Sequence, residues 1–189
     1  MGNGYKLALS GDLGSGKSTV TKLLIDNFGF ETFSTGTYQR AMAKRMHMST
    51  LELNQYAETH PEIDQEIDAK LTEEGRKPGN IIFDSRMAWH FVENAFKVYL
   101  ISDVNQAAAR VYCDSKNGVR GNVERYASVE EAKEYILNRR ASEVVRYQEK
   151  YGVDITDMSN YDLVIDATHM TIVAIAEKTY EEMVRWYGR

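Results

Sequence analysis

The chain is poor in the features that would point away from a small folded domain. One cysteine, Cys113, in 189 residues rules out an intrachain disulfide and the usual zinc-ligand spacings, and the residue is expected to sit half-buried on a helix. The histidines His47, His60, His90 and His169 show no spacing that suggests a metal. No apolar run approaches the ~20 residues of a membrane span, and the N-terminus runs straight into Tyr5-Lys6-Leu7-Ala8-Leu9-Ser10 with no basic leader, so no membrane partner is expected and the expected compartment is the cytosol. Positive charge is in deficit. With 23 Lys and Arg against 28 Asp and Glu the net charge is −5. A chain of that sign lacks the overall basic field of a nucleic-acid binder, and any phosphate-binding charge must be local.

What is present is the balance of a folded protein, 43% hydrophobic and 27% charged, in a length near that of one ordinary domain. Five short runs read as strands: Tyr5 to Ser10, Glu31 to Ser34, Asn80 to Phe83, Phe96 to Ile101 and Tyr161 to Asp166. Helical patterns cover Ser18 to Phe28, Thr37 to Met46, Thr50 to Thr59, Glu62 to Glu74, Val129 to Tyr151 and Ile172 to Trp186. Ser49 and His60-Pro61 read as helix boundaries. This alternation predicts an α/β fold, a five-stranded parallel sheet with helices on both faces. Ligands of such sheets bind beyond the carboxyl ends of the strands. The polar, aperiodic stretch from Asp114 to Ala127 is expected to form a mobile loop.

Gly11-Asp12-Leu13-Gly14-Ser15-Gly16-Lys17-Ser18 fits G-x-x-x-x-G-K-[ST] and lies between a predicted strand and a predicted helix. The glycines let a loop wrap a polyphosphate with its N–H groups inward. Lys17 adds a cation near the β and γ phosphates, and Ser18 can hold magnesium. ATP and Mg2+ are the expected nucleotide and ion, in a P-loop NTPase fold. No N-K-x-D run is present to select guanine, which speaks against a GTPase switch, whereas a small-molecule kinase suits the size.

A kinase must also bind its acceptor, and arginines suit that task because they grip phosphate oxygens in bidentate geometry. Three clusters qualify. Ser34-Thr35-Gly36-Thr37-Tyr38-Gln39-Arg40 follows the second strand, and a capped helix with a solvated Arg40 is its plainer alternative. Asp84-Ser85-Arg86 ends the third strand, where Asp84 could orient magnesium or touch the acceptor; an exposed turn pair is the alternative. Arg139, Glu143 and Arg146 fall on one helix side by i, i+4 and i+7 spacing, or form a solvated face laced with ion pairs.

In order and spacing these segments resemble the cytidylate kinases, in their compact form. The resemblance is carried by Gly11 to Thr19, Ser34 to Arg40, Asp84 to Trp89, Arg139 to Tyr147 and Tyr151 to Asp157. It implies a single P-loop kinase domain over 1–189, with an acceptor-binding helical region at about 35–75 and a lid at about 114–146. The implied reaction moves the γ-phosphoryl group of ATP onto CMP or dCMP. Arg40, Arg86, Arg139 and Arg146 would bind substrate phosphates, Glu143 would lie near the cytidine end, and Lys17, Arg139 and Arg146 would be catalytic. The chain departs from the family where paired arginines usually follow the fourth strand: Ala107 stands at the first place and Arg110, an implied nucleotide contact, at the second. Ser85 replaces a glycine before Arg86. A kinase of another small metabolite, or a nucleotide-binding regulator with little turnover, remains a competing reading. Oligomeric state is not readable.

Overall fold

The computed structural model describes residues 4–48, 50–117 and 126–188. Five parallel strands, β1 (Lys6–Gly11), β2 (Glu31–Ser34), β3 (Ile81–Asp84), β4 (Phe96–Ile101) and β5 (Leu163–Asp166), form one sheet in the order β2-β3-β1-β4-β5. The helices are α1 (Lys17–Phe28), α2 (Thr35–Arg45), α3 (Thr50–Thr59), α4 (Pro61–Arg76), α5 (Ala88–Phe91), α6 (Val104–Lys116), α7 (Val129–Tyr151) and α8 (Ile172–Tyr187). The expected doubly covered parallel sheet is therefore the fold. Every residue of β1 is buried, as befits a strand walled by neighbours on both edges and helices on both faces.

Two apolar layers flank the sheet. Leu7 and Leu9 of β1, Val98 and Leu100 of β4 and Ile165 of β5 pack on Val20 and Leu24 of α1 and Ile175 and Met183 of α8. On the other face Ala8, Phe83 and Tyr99 pack on Leu71 of α4, Trp89 of α5, Tyr147 of α7 and Tyr161. Two smaller cores stand apart: Met42, Ala43, Leu53, Ile63 and Ile67 join α2, α3 and α4, and Ala107, Ala108, Val111, Ala132 and Ile136 join α6 to α7.

Local chemistry explains the boundaries. Gly29 ends α1 in the left-handed region, its N–H on the Ile25 carbonyl at 3.1 Å. Pro61 opens α4 where its missing N–H costs nothing. Ser34, Asp103, Ser128 and Thr171 cap α2, α6, α7 and α8 through their side-chain oxygens.

Three expectations need correction. The predicted loop from Asp114 begins later, because α6 runs to Lys116; most of the rest of that stretch, 118–125, lies outside the described residues. Cys113 is exposed rather than half-buried, since α6 buries the stripe Ala107, Ala108, Val111 and Ser115 and residue 113 falls off it. The single turn α5 after Arg86 was not foreseen; it buries Ala88 and Trp89 under the sheet. Trp89 and Trp186 are packing residues as expected, against Tyr161 and Phe96 respectively. Asp154 and Asp157 hold turns, accepting from the N–H groups of Thr156 (2.7 Å) and Ser159 (2.9 Å).

Candidate active site

The phosphate loop joins β1 to α1. Gly14 and Gly16 have φ of 82° and 86°, a region costly for any residue with a Cβ. Gly14 is required twice over, because a Cβ there would lie 2.7 Å from the Ala107 carbonyl oxygen. α1 opens on Gly16 without a side-chain cap, so its first N–H groups are not taken up by a capping side chain. Ser15 Oγ is buried without a hydrogen-bond partner, a donor left for a ligand. Ser18 and Thr19 are exposed at the helix mouth.

Lys17 Nζ meets the Asp84 carboxylate. The sheet arranges this pairing: Asp84 ends β3 in register with Leu9 of β1 on one side and Ser34 of β2 on the other. The acceptor candidate Ser34 therefore adjoins the lysine's partner. Ser34 Oγ accepts from Thr37 N–H at 3.4 Å, and Arg40 donates to Thr37 Oγ1 at 2.9 Å while exposed. Gly36 has space for a side chain, its nearest neighbour being Arg40 Nη1 at 3.5 Å from a built Cβ. Thr35 is the first residue of α2.

Arg86 reaches across the site. It donates to the Gly11 carbonyl, and its Nε lies 3.1 Å from Glu143 Oε2 in an ion pair that falls short of an aligned hydrogen bond. Glu143 Oε1 takes Arg139 Nε at 3.0 Å. One carboxylate thus orients two guanidinium groups, one from the sheet edge and one from α7. Burial works against the charge of Arg139, but the Glu143 carboxylate beside it holds its pKa above the ordinary value. Arg146, one turn further on, donates to Tyr147 OH at 3.2 Å and lies 5.0 Å from that ring's centroid; burial opposes its charge, while Tyr147, Asp64 and Glu143 favour it. Of the predicted trio on α7, Arg139 and Glu143 are brought together at one cavity, whereas Arg146 turns to Tyr147 and does not line it.

Three features were not anticipated. Asp12, expected only as part of the phosphate loop, accepts from Tyr99 OH at 2.7 Å and from Ser102 N–H at 3.0 Å, and Arg140 Nη1 lies 3.5 Å from it. Burial and the Asp12 charge push the Tyr99 phenol up, so it stays a donor. Arg140 lay in the α7 motif, next to Arg139, but i, i+4, i+7 spacing passed over it. Arg110, expected at the nucleotide, turns its guanidinium to the carbonyls of Gly14 (3.3 Å) and Thr168 (2.8 Å), stapling the phosphate loop to the turn after β5. Finally, α4 and α7 are tied by Lys150 to Asp64 and by Tyr151 OH to Asp68 at 2.7 Å.

A cavity of about 150 Å3 lies between the phosphate loop and the α6–α7 pair, lined by Asp12, Leu13, Arg86, Ala107, Arg139, Arg140 and Glu143 among others. Lys17, Arg86, Arg139 and Arg140 are each met by a protein carboxylate. Partly exposed pairs of this kind add little stability; those of Lys17, Arg86 and Arg139 hold side chains where phosphates can exchange with the carboxylates. No cluster of three His, Cys, Asp or Glu side chains suited to a metal occurs among the described residues. A magnesium ion carried by nucleotide phosphates needs only one or two protein ligands.

Comparison with known proteins bears on what such a site does. The solved structures that share the fold include a shikimate kinase from Bacteroides thetaiotaomicron, with a TM-score of 0.60, 15% identity and coverage of 95% of this chain and 98% of that one. A shikimate kinase from Acinetobacter baumannii in complex with shikimate gives 0.58 and 17%, over 96% and 94%. In sequence the chain is 37% identical to a cytidylate kinase of Pyrococcus horikoshii over 86% of its own length and 79% of the relative's. It is 33% identical to an S-adenosylmethionine-dependent nucleotide dehydratase of Lacinutrix mariniflava over 93% of this chain, which spans only 35% of that protein. The model of the cytidylate kinase-like family matches residues 6–169, and the chain accordingly belongs to the cytidylate kinase-like family and is an ATP-dependent phosphotransferase.

Proposed function

We propose that the protein transfers the γ-phosphoryl group of ATP to a nucleoside monophosphate, with CMP or dCMP the preferred acceptor. The observation that carries this reading is the meeting of two phosphate-binding sets at one sheet edge: Lys17 and the loop amides on one side, and Arg86, Arg139 and Glu143 on the other. A second set facing the loop suits an anionic acceptor. Cytidylate kinases that are 33–37% identical over most of this chain support the choice of acceptor.

In this reading Gly11 to Thr19 wrap the triphosphate, and Ser15 Oγ gains its missing partner there. Ser18 and Asp84 would hold a magnesium ion, which would supply charge neutralisation to the triphosphate. The residues present fit such an ion, a hydroxyl and a carboxylate at the mouth of the loop. On the acceptor side Ser34, Thr35, Gly36, Arg40, Arg86 and Arg146 take the monophosphate, and Glu143 faces its nucleoside end; contact of Asp84 with the acceptor is the alternative to its part in the magnesium site. The acceptor phosphate oxygen is already anionic near neutral pH, so no strong general base is needed. Lys17, Arg139 and Arg146 stabilise charge as it spreads over the transferring group, an effect worth on the order of 10³ in rate for one well-placed arginine. Helices α2–α4 form the acceptor-binding region, and α7, the described part of the lid expected at about 114–146, covers the site against water.

Incubation with ATP-Mg and a panel of nucleoside monophosphates tests the proposal. ADP is expected to appear quickly with CMP or dCMP and slowly with the others. No ADP formation with any member of the panel would refute it.

A further inference from the structure

The phosphate loop carries a negative charge of its own. Asp12 follows Gly11 directly, and its backbone N–H donates to the Leu100 carbonyl at 2.8 Å. Its side chain accepts from Tyr99 OH at 2.7 Å and from the Ser102 N–H at 3.0 Å, which orients the carboxylate. A fixed anion in a loop that serves polyphosphate repels its ligand unless something balances it.

The balancing cation comes from α7. Arg140 Nη1 lies 3.5 Å from Asp12 Oδ1, the guanidinium donates to Tyr99 OH, and its carbon sits 5.5 Å from the Tyr99 ring centroid. The neighbouring Arg139 is committed to Glu143. Helix α6, the other wall of the cavity, offers Val104 and Ala107 there and turns Arg110 to the carbonyls of Gly14 and Thr168. Tyr99 itself is 2% exposed on β4, between β1 and β5, which makes it a rigid post for both partners.

We propose that Arg140 is a positioning residue that neutralises Asp12 and, with Tyr99, seats α7 against the phosphate loop, so that the loop binds ATP well only while α7 is in place. The proposal rests on reading the loop as the ATP site. It assigns Arg140 an action on ATP through Asp12 and not by contact with the phosphates. Loss of Arg140 should therefore raise KM for ATP more than it lowers kcat, the opposite of the pattern for a group that touches the transferring phosphoryl.

The test is calorimetric ATP-Mg binding, with KM and kcat, for the wild type, Arg140→Ala, Arg140→Lys, Asp12→Asn and the double variant Asp12→Asn/Arg140→Ala. Arg140→Ala is expected to weaken ATP binding about tenfold or more, Arg140→Lys to recover part of that, and the double variant to bind within about threefold of Asp12→Asn alone. A double variant as weak as Arg140→Ala overturns the proposal, because the effect of Arg140 would then not run through the Asp12 charge. Wild-type protein that binds no ATP removes the underlying reading and the proposal with it, an outcome visible before any variant is compared. Should Arg140→Ala fail to fold, Tyr99→Phe removes the phenol while keeping the ring. A several-fold loss of ATP affinity is expected there, and unchanged affinity overturns the proposal.

Discussion

On the β1 side of the cleft the groups offered to a ligand are backbone amides and one lysine, carried by a strand buried on all sides. On the facing side they are long side chains, Arg86, Arg139, Glu143 and Arg146, borne by the turn after β3 and by α7. The first set rests on the two cores of the sheet. The helices around the second set, α2–α4 and α6–α7, also bind one another through small cores of their own. Such an arrangement suits a fixed anvil and an adjustable clamp: backbone geometry is costly to change, whereas arginines held by exchangeable ion pairs and helices with separate cores can shift as units.

The comparison can be broken most forcefully at the anvil. Lys17→Ala should lower kcat/KM by about 10³ or more while leaving the melting transition nearly unchanged, because its removal opens no core; coupled ADP assays and circular dichroism report the two. Arg146→Ala, on the clamp, should cost kcat about 10²- to 10³-fold with folding retained. Unchanged turnover would return Arg146 to a role in packing against Tyr147.

The difference in cores predicts a difference in stability. Leu24 and Leu53 are both 0% exposed, yet one lies between α1 and the sheet and the other inside α2–α4. Leu24→Ala should cost about 2–5 kcal/mol of global stability. Leu53→Ala should act locally, speeding hydrogen exchange across α2–α4 before the sheet responds; equal effects on both regions would mean that the clamp is not a separate unit. The smallest effect expected is that of Ser34→Ala, which removes the α2 cap at a cost of about 1 kcal/mol of helix stability and should raise the acceptor KM a few-fold with the ATP KM unmoved.

The same division governs how much could be read from the sequence. The phosphate loop was legible because its eight residues are contiguous and each answers to a local requirement, such as the positive φ of Gly14 and Gly16. Strands such as β3 and β4 were legible as short apolar runs, whereas β2, Glu31–Ser34, carries no such run. The clamp was legible only as an order of arginines, since nothing local says that Glu143 joins Arg139 to Arg86 across 57 residues (143 − 86). The Asp12, Tyr99 and Arg140 contact was not legible at all. Tyr99 reads as a core aromatic in a buried strand, and Arg140 reads as solvated until the sheet order sets β4 beside β1. Helix α6 was underestimated at its end because a polar stretch like Asp114 to Lys116 continues a helix readily when its inner face is buried on α7.

The central claim is that phosphoryl passes from the anvil to an acceptor held by the clamp. Following γ-labelled ATP in the presence of CMP tests it most directly. The label is predicted to appear in the β-phosphoryl group of CDP, with little in inorganic phosphate. Label found only in inorganic phosphate, or left entirely in ATP, would contradict the account.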